Sequence, residues 1–243
     1  MSRAAARSMA RIFPGSESAE FDGFYVRSHP LPTETLNEVH VTKRPEDPDR
    51  ILQEALRYFE SRSPQWRLIC RSEWASLISA ACRRSGLEPG HDSPEMILLP
   101  DHASAVPQVG DCRRVESLAD LRVFQRTFSL ANQLPETSFW VAKPLLVAPE
   151  WDLFVGFLDG KPVATGVAFT SDSVSGVWAI ATIPESRGRG IGTAVTSAVI
   201  HAGRSKGAIA AHLWATEMGF PVYHKMGFRH IQNKSTWIHE THG

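Results

Sequence analysis

Apolar positions recur at helical spacing over Ile51, Leu52, Ala55, Leu56 and Phe59, behind an Asp47–Pro48 pair suited to opening a helix, and predict a helix near 48–61. Trp66 to Cys70 reads as a short strand. Ser72 then caps a second helix whose Trp74, Leu77, Ile78 and Ala81 form one stripe, closing on Arg83, Arg84 and Gly86. Met96 to Leu99 reads as a buried strand, and Ser117 opens a third helix with Leu118, Leu121, Phe124 and Phe128 on one face. From Leu153 the period changes to that of strands. An apolar run to Leu158, the turn Asp159-Gly160-Lys161, a run from Val163 to Phe169 and another from Val177 to Ile183 predict an antiparallel meander. A helix with Ile191, Val195, Ala198, Val199 and Ala202 on one face follows. A strand at 208–215, a short helix at 221–226 and a last strand from Phe228 to His239 close the chain.

Backbone demands differ along the chain: 13 of the 16 prolines lie in residues 1–150 and 12 of the 17 glycines in 151–243. Residues 87–94 and 100–115 are rich in Pro, Gly, Asp and Ser, and the second stretch reads as a linker. The predicted organisation is a flexible tail over 1–22, an α/β lobe over 23–106 and a second domain over 107–243. Arg3, Arg7 and Arg11, with no acid before Glu17, are read as a frayed basic tail rather than an organelle transit peptide.

Composition narrows the function classes. Of 243 residues, 42% are hydrophobic and 21% charged, enough apolar surface for a packed core. Lys+Arg and Asp+Glu balance at 26 each, so no global field draws nucleic acid or an anionic membrane, and neither is expected as a partner. Cys70, Cys82 and Cys112 lack the spacing of a disulfide scaffold or zinc clip, and Cys70 and Cys82 fall in apolar stretches as core residues. His201 and His212 lack ligand spacing, so no metal is expected. Without an apolar run long enough for a signal peptide or a membrane helix, the expected location is the cytoplasm.

The chemistry concentrates in Arg187-Gly188-Arg189-Gly190-Ile191-Gly192, a glycine turn between a strand and a helix. Such a turn is a device for holding an anion, because the first helical turn has free N–H groups and a partial positive charge. No Lys follows as a Walker loop requires. The glycines run G-x-G-x-G after the third strand of a meander, unlike a dinucleotide fingerprint. The remaining pattern, Arg/Gln-x-x-Gly-x-Gly/Ala, is met by Arg187, Gly190 and Gly192. With Pro221-Val222-Tyr223-His224-Lys225-Met226-Gly227-Phe228 downstream, similar to Leu-Tyr-x-Lys-Leu-Gly-Phe, the chain resembles the GCN5-related N-acetyltransferase (GNAT) superfamily. Residues 151–240 carry the resemblance, 111–150 would supply the family's first strand and helices, and 25–100 resemble a reduced companion lobe.

The resemblance implies an α/β acyl-CoA N-acyltransferase (GNAT) fold, a mixed and mostly antiparallel sheet flanked by helices, with acetyl-CoA as co-substrate. It places backbone N–H groups of Gly188, Arg189, Gly190, Ile191, Gly192 and Thr193 on the pyrophosphate. A strand bulge near Thr182 and Ile183 would face the pantetheine and thioester, and Tyr223 would protonate the departing sulfur. A phenol is protonated at neutral pH, and a thiolate is basic enough to accept a proton. Many members carry a carboxylate on the strand before the turn. This strand reads Trp178-Ala179-Ile180-Ala181, so Glu217, His212 and a water chain stand as alternative bases. Trp178 and Trp214 fall on adjacent strands and read as core. The implied reaction is acetyl transfer to a primary amine of a small molecule or peptide. The alternative is a non-catalytic acyl-CoA-sensing or protein-interaction module. The acceptor is open, as is oligomeric state, a homodimer included.

Overall fold

The computed structural model describes residues 3–31, 33–102, 109–134 and 143–239. The chain forms two compact units, residues 1–95 with 232–243, and residues 96–231. These limits differ from the boundary after 106 expected from composition, because the strand at Ser93–Leu98 begins within the first unit and the linker-like stretch follows it.

The first unit begins with helix α1 (Arg3–Ile12), followed by strands β1 (Glu17–Phe21), β2 (Phe24–Ser28) and β3 (Glu38–Val41). Helix α2 (Pro48–Phe59) crosses to β4 (Trp66–Arg71), and α3 (Ala75–Arg84) leads to β5 (Leu87–Pro89). β1, β2 and β3 pair antiparallel, whereas β3 and β4 are parallel, as the α2 crossover requires. α2 begins where its sequence indicates: the Asp47 carboxylate accepts the Arg50 N–H at 3.0 Å, and Pro48 gives up an N–H that would have no partner. Its buried Ile51, Leu52, Ala55 and Phe59 meet Phe24, Trp66 and Leu68 in one core. The expected tail over 1–22 is instead α1 and β1. Ala5, Ala6, Met9 and Ile12 are buried, Arg7 pairs with Glu20, and Arg3 donates to Thr42 Oγ1 at 3.0 Å. The partners that order this basic segment lie downstream, out of view of a local reading.

The second unit takes in the second half of β6 (Ser93–Leu98), then β7 (Asp111–Arg114), α4 (Leu118–Asn132), β8 (Trp151–Leu158), β9 (Lys161–Ser171) and β10 (Val174–Thr182). Helix α5 (Ile191–Ser205), β11 (Ala210–Trp214), the one-turn α6 (Phe220–Lys225) and the start of β12 (Arg229–His239) complete it. Its strands run β6-β11-β10-β9-β8-β7. The meander β8-β9-β10 is antiparallel, and β10 pairs parallel with β11 across the α5 crossover. The ends of α4 fit its sequence: Ser117 Oγ accepts the Asp120 N–H and Asp120 accepts the Ser117 N–H, a capping box. Leu118, expected in the core, is exposed. A Cβ at Gly156 on β8 or Gly166 on β9 would lie 2.5 or 2.6 Å from a Val195 methyl, so α5 rests on the sheet only because both are glycine.

The order helix, three-strand meander, crossover helix, parallel strand, short helix, strand occurs twice along the chain: α1 to β5 in the first unit, and α4 to the start of β12 in the second.

The first unit buries a charged cluster. Glu38 accepts from Arg27 Nε at 2.8 Å, from Arg67 Nε at 3.0 Å and from His40 Nε2 at 2.6 Å, and the His40 ring stacks on Tyr25 at 4.6 Å. Burial would raise the Glu38 carboxyl, but Arg27, Arg67 and His40 outweigh it and hold it well below the usual range. Burial drives His40 down to about 4 from 6.5, with Glu38 opposing only in part. Between these values the unfolded chain binds a proton that the folded imidazole refuses, so stability rises with pH, by on the order of 3 kcal/mol across the window. Melting temperature should therefore fall by several degrees from pH 7 to pH 4.5, and His40→Gln should flatten that slope. A wild-type melting curve insensitive to pH over this range would refute the assignment.

Candidate functional site

β10 and β11 pair only at Val174–Gly176 with Ala210–His212. Beyond this, β10 carries a bulge. Its register against β9 skips between Trp178 and Ala181, Ala179 takes φ 51°, and Thr165 Oγ1 donates to the Ala179 carbonyl at 2.9 Å. The bulge thus lies upstream of the Thr182–Ile183 position expected from the sequence. Thr182 pairs regularly with Ala164, and the Ile183 N–H donates to Val163 O at 2.9 Å. A left-handed alanine costs about 1–2 kcal/mol and leaves no mark in the sequence.

The glycine turn follows. Gly188 and Gly190 have φ of 73° and 84°, a region open to glycine without strain. The first i→i−4 bond of α5 is Ala194 N–H to Gly190 O at 3.1 Å, so among the described residues the N–H groups of Ile191, Gly192 and Thr193 donate to no protein carbonyl. A Cβ on Gly192 would sit 3.1 Å from Thr182 Oγ1, which keeps the helix terminus close to the end of β10. Arg187 braces the turn: its Nε donates to Thr182 O at 3.0 Å and its Nη2 to Ala131 O, at the end of α4, at 3.1 Å.

This terminus opens on a pocket of about 700 Å³. Ile180, Ala181 and Thr182 line it from β10; Arg187, Gly188, Gly190, Ile191, Gly192 and Thr193 from the turn; and Gly219, Val222, Tyr223 and Lys225 from α6 and its approach. Tyr223 stands edge-on to Phe228 at 5.7 Å, and burial pushes its phenol up to about 12. Gly219 makes room for it, since a Cβ there would lie 2.9 Å from Tyr223 Cε2. The arrangement suits an extended acyl donor, with an anion at the helix terminus and a phenolic O–H along the same cavity.

Residues 117–228 match the model of the Acetyltransferase (GNAT) family. They form a GNAT-family acetyltransferase domain. Solved structures extend the likeness in fold to nearly the whole chain. A GCN5-related N-acetyltransferase from Kribbella flavida superposes with TM-score 0.69 at 17% identity, covering 98% of this chain and 96% of its own. Another from Sphaerobacter thermophilus gives TM-score 0.61 at 16% identity, over 89% and 76%. A tandem GNAT protein from the clavulanic acid biosynthesis pathway gives 0.58 at 12% identity, over 96% and 86%. No curated protein matches the sequence.

Within the GNAT domain, not every residue singled out from the sequence reaches the pocket. Ile183 turns to the core beneath α5, and Arg189 pairs with Asp159 at 3.2 Å, away from the lining. Glu217 is exposed and His212 half-buried on β11, and neither lines the cavity. Trp178, expected in the core, is half-buried and packs on Phe169 and Trp151 at 5.7 and 5.3 Å. Sequence reading missed Asn132, Thr196, Met218, Val222 and Lys225 as lining residues. Among these, Thr196 is legible as one turn after Gly192, whose carbonyl its hydroxyl binds at 2.8 Å. Among the described residues, no three or more His, Cys, Asp or Glu gather as a metal site, and no helix is long and apolar enough to cross a membrane.

The bonding of the two arginines predicts unequal effects. Arg187→Ala should cost about 1–2 kcal/mol in denaturant unfolding, because two backbone carbonyls lose a charged donor. Arg189→Ala, which breaks one exposed pair, should cost less than about 0.5 kcal/mol. Equal losses would contradict the bracing role.

Proposed function

We propose that this GNAT domain transfers the acetyl group of acetyl-CoA to a primary amine, releasing an amide and free CoA. The observation that carries this reading is the glycine-lined terminus of α5 opening on the same pocket as Tyr223. Acetyl-CoA supplies an activated acyl group on a sulfur leaving group. The amine nitrogen forms the new bond to the acyl carbon, the carbon–sulfur bond breaks, and the proton lost by nitrogen equals the one gained by sulfur. The free N–H groups of Ile191, Gly192 and Thr193 bind the pyrophosphate, and the wall at Ile180, Ala181 and Thr182 holds the pantetheine arm in line.

With its phenol at about 12, Tyr223 keeps its proton throughout the neutral range and donates a hydrogen bond to the sulfur as charge develops there. Full transfer to a thiolate of ordinary basicity, about 8.5, would run uphill, so the net proton on sulfur traces to the amine. None of the described lining residues is Asp, Glu or His, and the nitrogen's proton leaves through water.

The first unit is read as a reduced copy of the fold, with the acyl-donor site confined to the second. The position equivalent to the glycine turn is the start of α2. There Asp47 brings a carboxylate to the terminus and Pro48 removes an N–H, and both oppose a phosphate.

That no described lining residue is a carboxylate or histidine favours a second reading, an acyl-CoA sensor without turnover. Following thiol release against a panel of amines separates the two. Catalysis predicts turnover in the wild type and a loss of about 10²-fold in kcat for Tyr223→Phe with the KM for acetyl-CoA unchanged. Equal rates in both proteins would remove Tyr223 from the reaction, and binding without turnover of any amine would favour the sensor.

A further inference from the structure

We infer that Lys225 receives a phosphate of the acyl donor and so sets the enzyme's discrimination for a phosphorylated carrier over a bare pantetheine thioester. This deepens the acetyl-CoA reading and rests on it.

The coenzyme brings several negative charges, whereas a helix terminus offers the equivalent of only about half a positive charge. The two arginines of the glycine turn do not make up the difference. Arg187 directs Nε and Nη2 at the carbonyls of Thr182 and Ala131, and Arg189 pairs with Asp159 and does not line the cavity. Arg187 and Lys225 are the two cationic side chains on the described lining, and Lys225 has no hydrogen bond or ion pair with any described residue. No described lining residue is an acid that could compete for its ammonium. Met226 and Phe228, which follow it, are buried in the core beside β11, and they anchor the end of α6 so that Lys225 is presented on the pocket wall. An ammonium without a described partner, in a cavity whose described lining holds no acid and on a different element from the orphan N–H groups, is suited to a second anionic group of a ligand whose first lies at α5. Its contribution is to binding the donor, with the bond-making atoms near Tyr223 left untouched.

Calorimetric titration of the full chain with acetyl-CoA and with 3′-dephospho-acetyl-CoA, for wild type, Lys225→Gln and Lys225→Arg, tests this. Lys225→Gln should bind acetyl-CoA about fivefold more weakly at low ionic strength, with the gap closing as salt rises, and Lys225→Arg should restore wild-type affinity. If dephosphorylation abolishes the gap between wild type and Lys225→Gln, the partner is the 3′-phosphate. If the gap persists on both ligands, the partner is the pyrophosphate. Equal affinity of wild type and Lys225→Gln for both ligands would overturn the assignment. Failure of the wild type to bind acetyl-CoA would instead overturn the donor reading itself, and the Lys225 assignment with it.

Discussion

The close approach of α5 to its sheet is the constraint on which the rest of the second unit depends. Side chains at Gly156, Gly166 or Gly203 would collide with Val195 or Ser175 at 2.4 to 2.6 Å, so the missing Cβ atoms fix the depth and line of the helix. That line carries its N-terminus past the bulged end of β10, where Gly192 lets it close on Thr182. The result is a fixed set of backbone donors at the mouth of a cavity, preorganised by packing and needing no side-chain charge to form. Arg187 joins this terminus to α4 and β10, so the pocket's walls are tied to one another through main-chain carbonyls.

The parting of β10 from β11 supplies the cavity, and three features make it durable. The Ala179 bulge ends the regular pairing of the sheet, the Thr165 hydroxyl holds the bulge's carbonyl, and α6 covers the gap with Tyr223 and Met226. Placing the phenol in this half-dry wall raises its affinity for its proton and makes it a poor acid but a dependable hydrogen-bond donor. A site of this kind works chiefly by position: it aligns an already activated thioester and stabilises charge on sulfur.

Much of this was legible in the sequence because it depends on local chemistry. The meander, the glycine turn, the helix behind it and the Tyr223 segment all announce themselves by period or by glycine, and each lies where its pattern places it. What was hidden depends on partners distant in sequence. Arg187 and Arg189 are near neighbours of identical type, yet one finds carbonyls 5 and 56 residues away and the other an aspartate on a hairpin turn. Glu217 sits beside the lining residues Thr216 and Met218 and points elsewhere. The strain at Ala179 has no residue preference to betray it, and α1 reads as a tail until Glu20 and Thr42 are seen to order it.

The two units share an order of elements but differ where it matters for an anion: α5 begins with free N–H groups and glycines, and α2 with a proline and a carboxylate already bonded to its first turn. Amide hydrogen exchange with and without acetyl-CoA tests this difference directly. Exchange at 188–193 should slow on adding acetyl-CoA, with 42–50 unchanged. Unchanged exchange at 188–193, or equal protection at both helix starts, would contradict it.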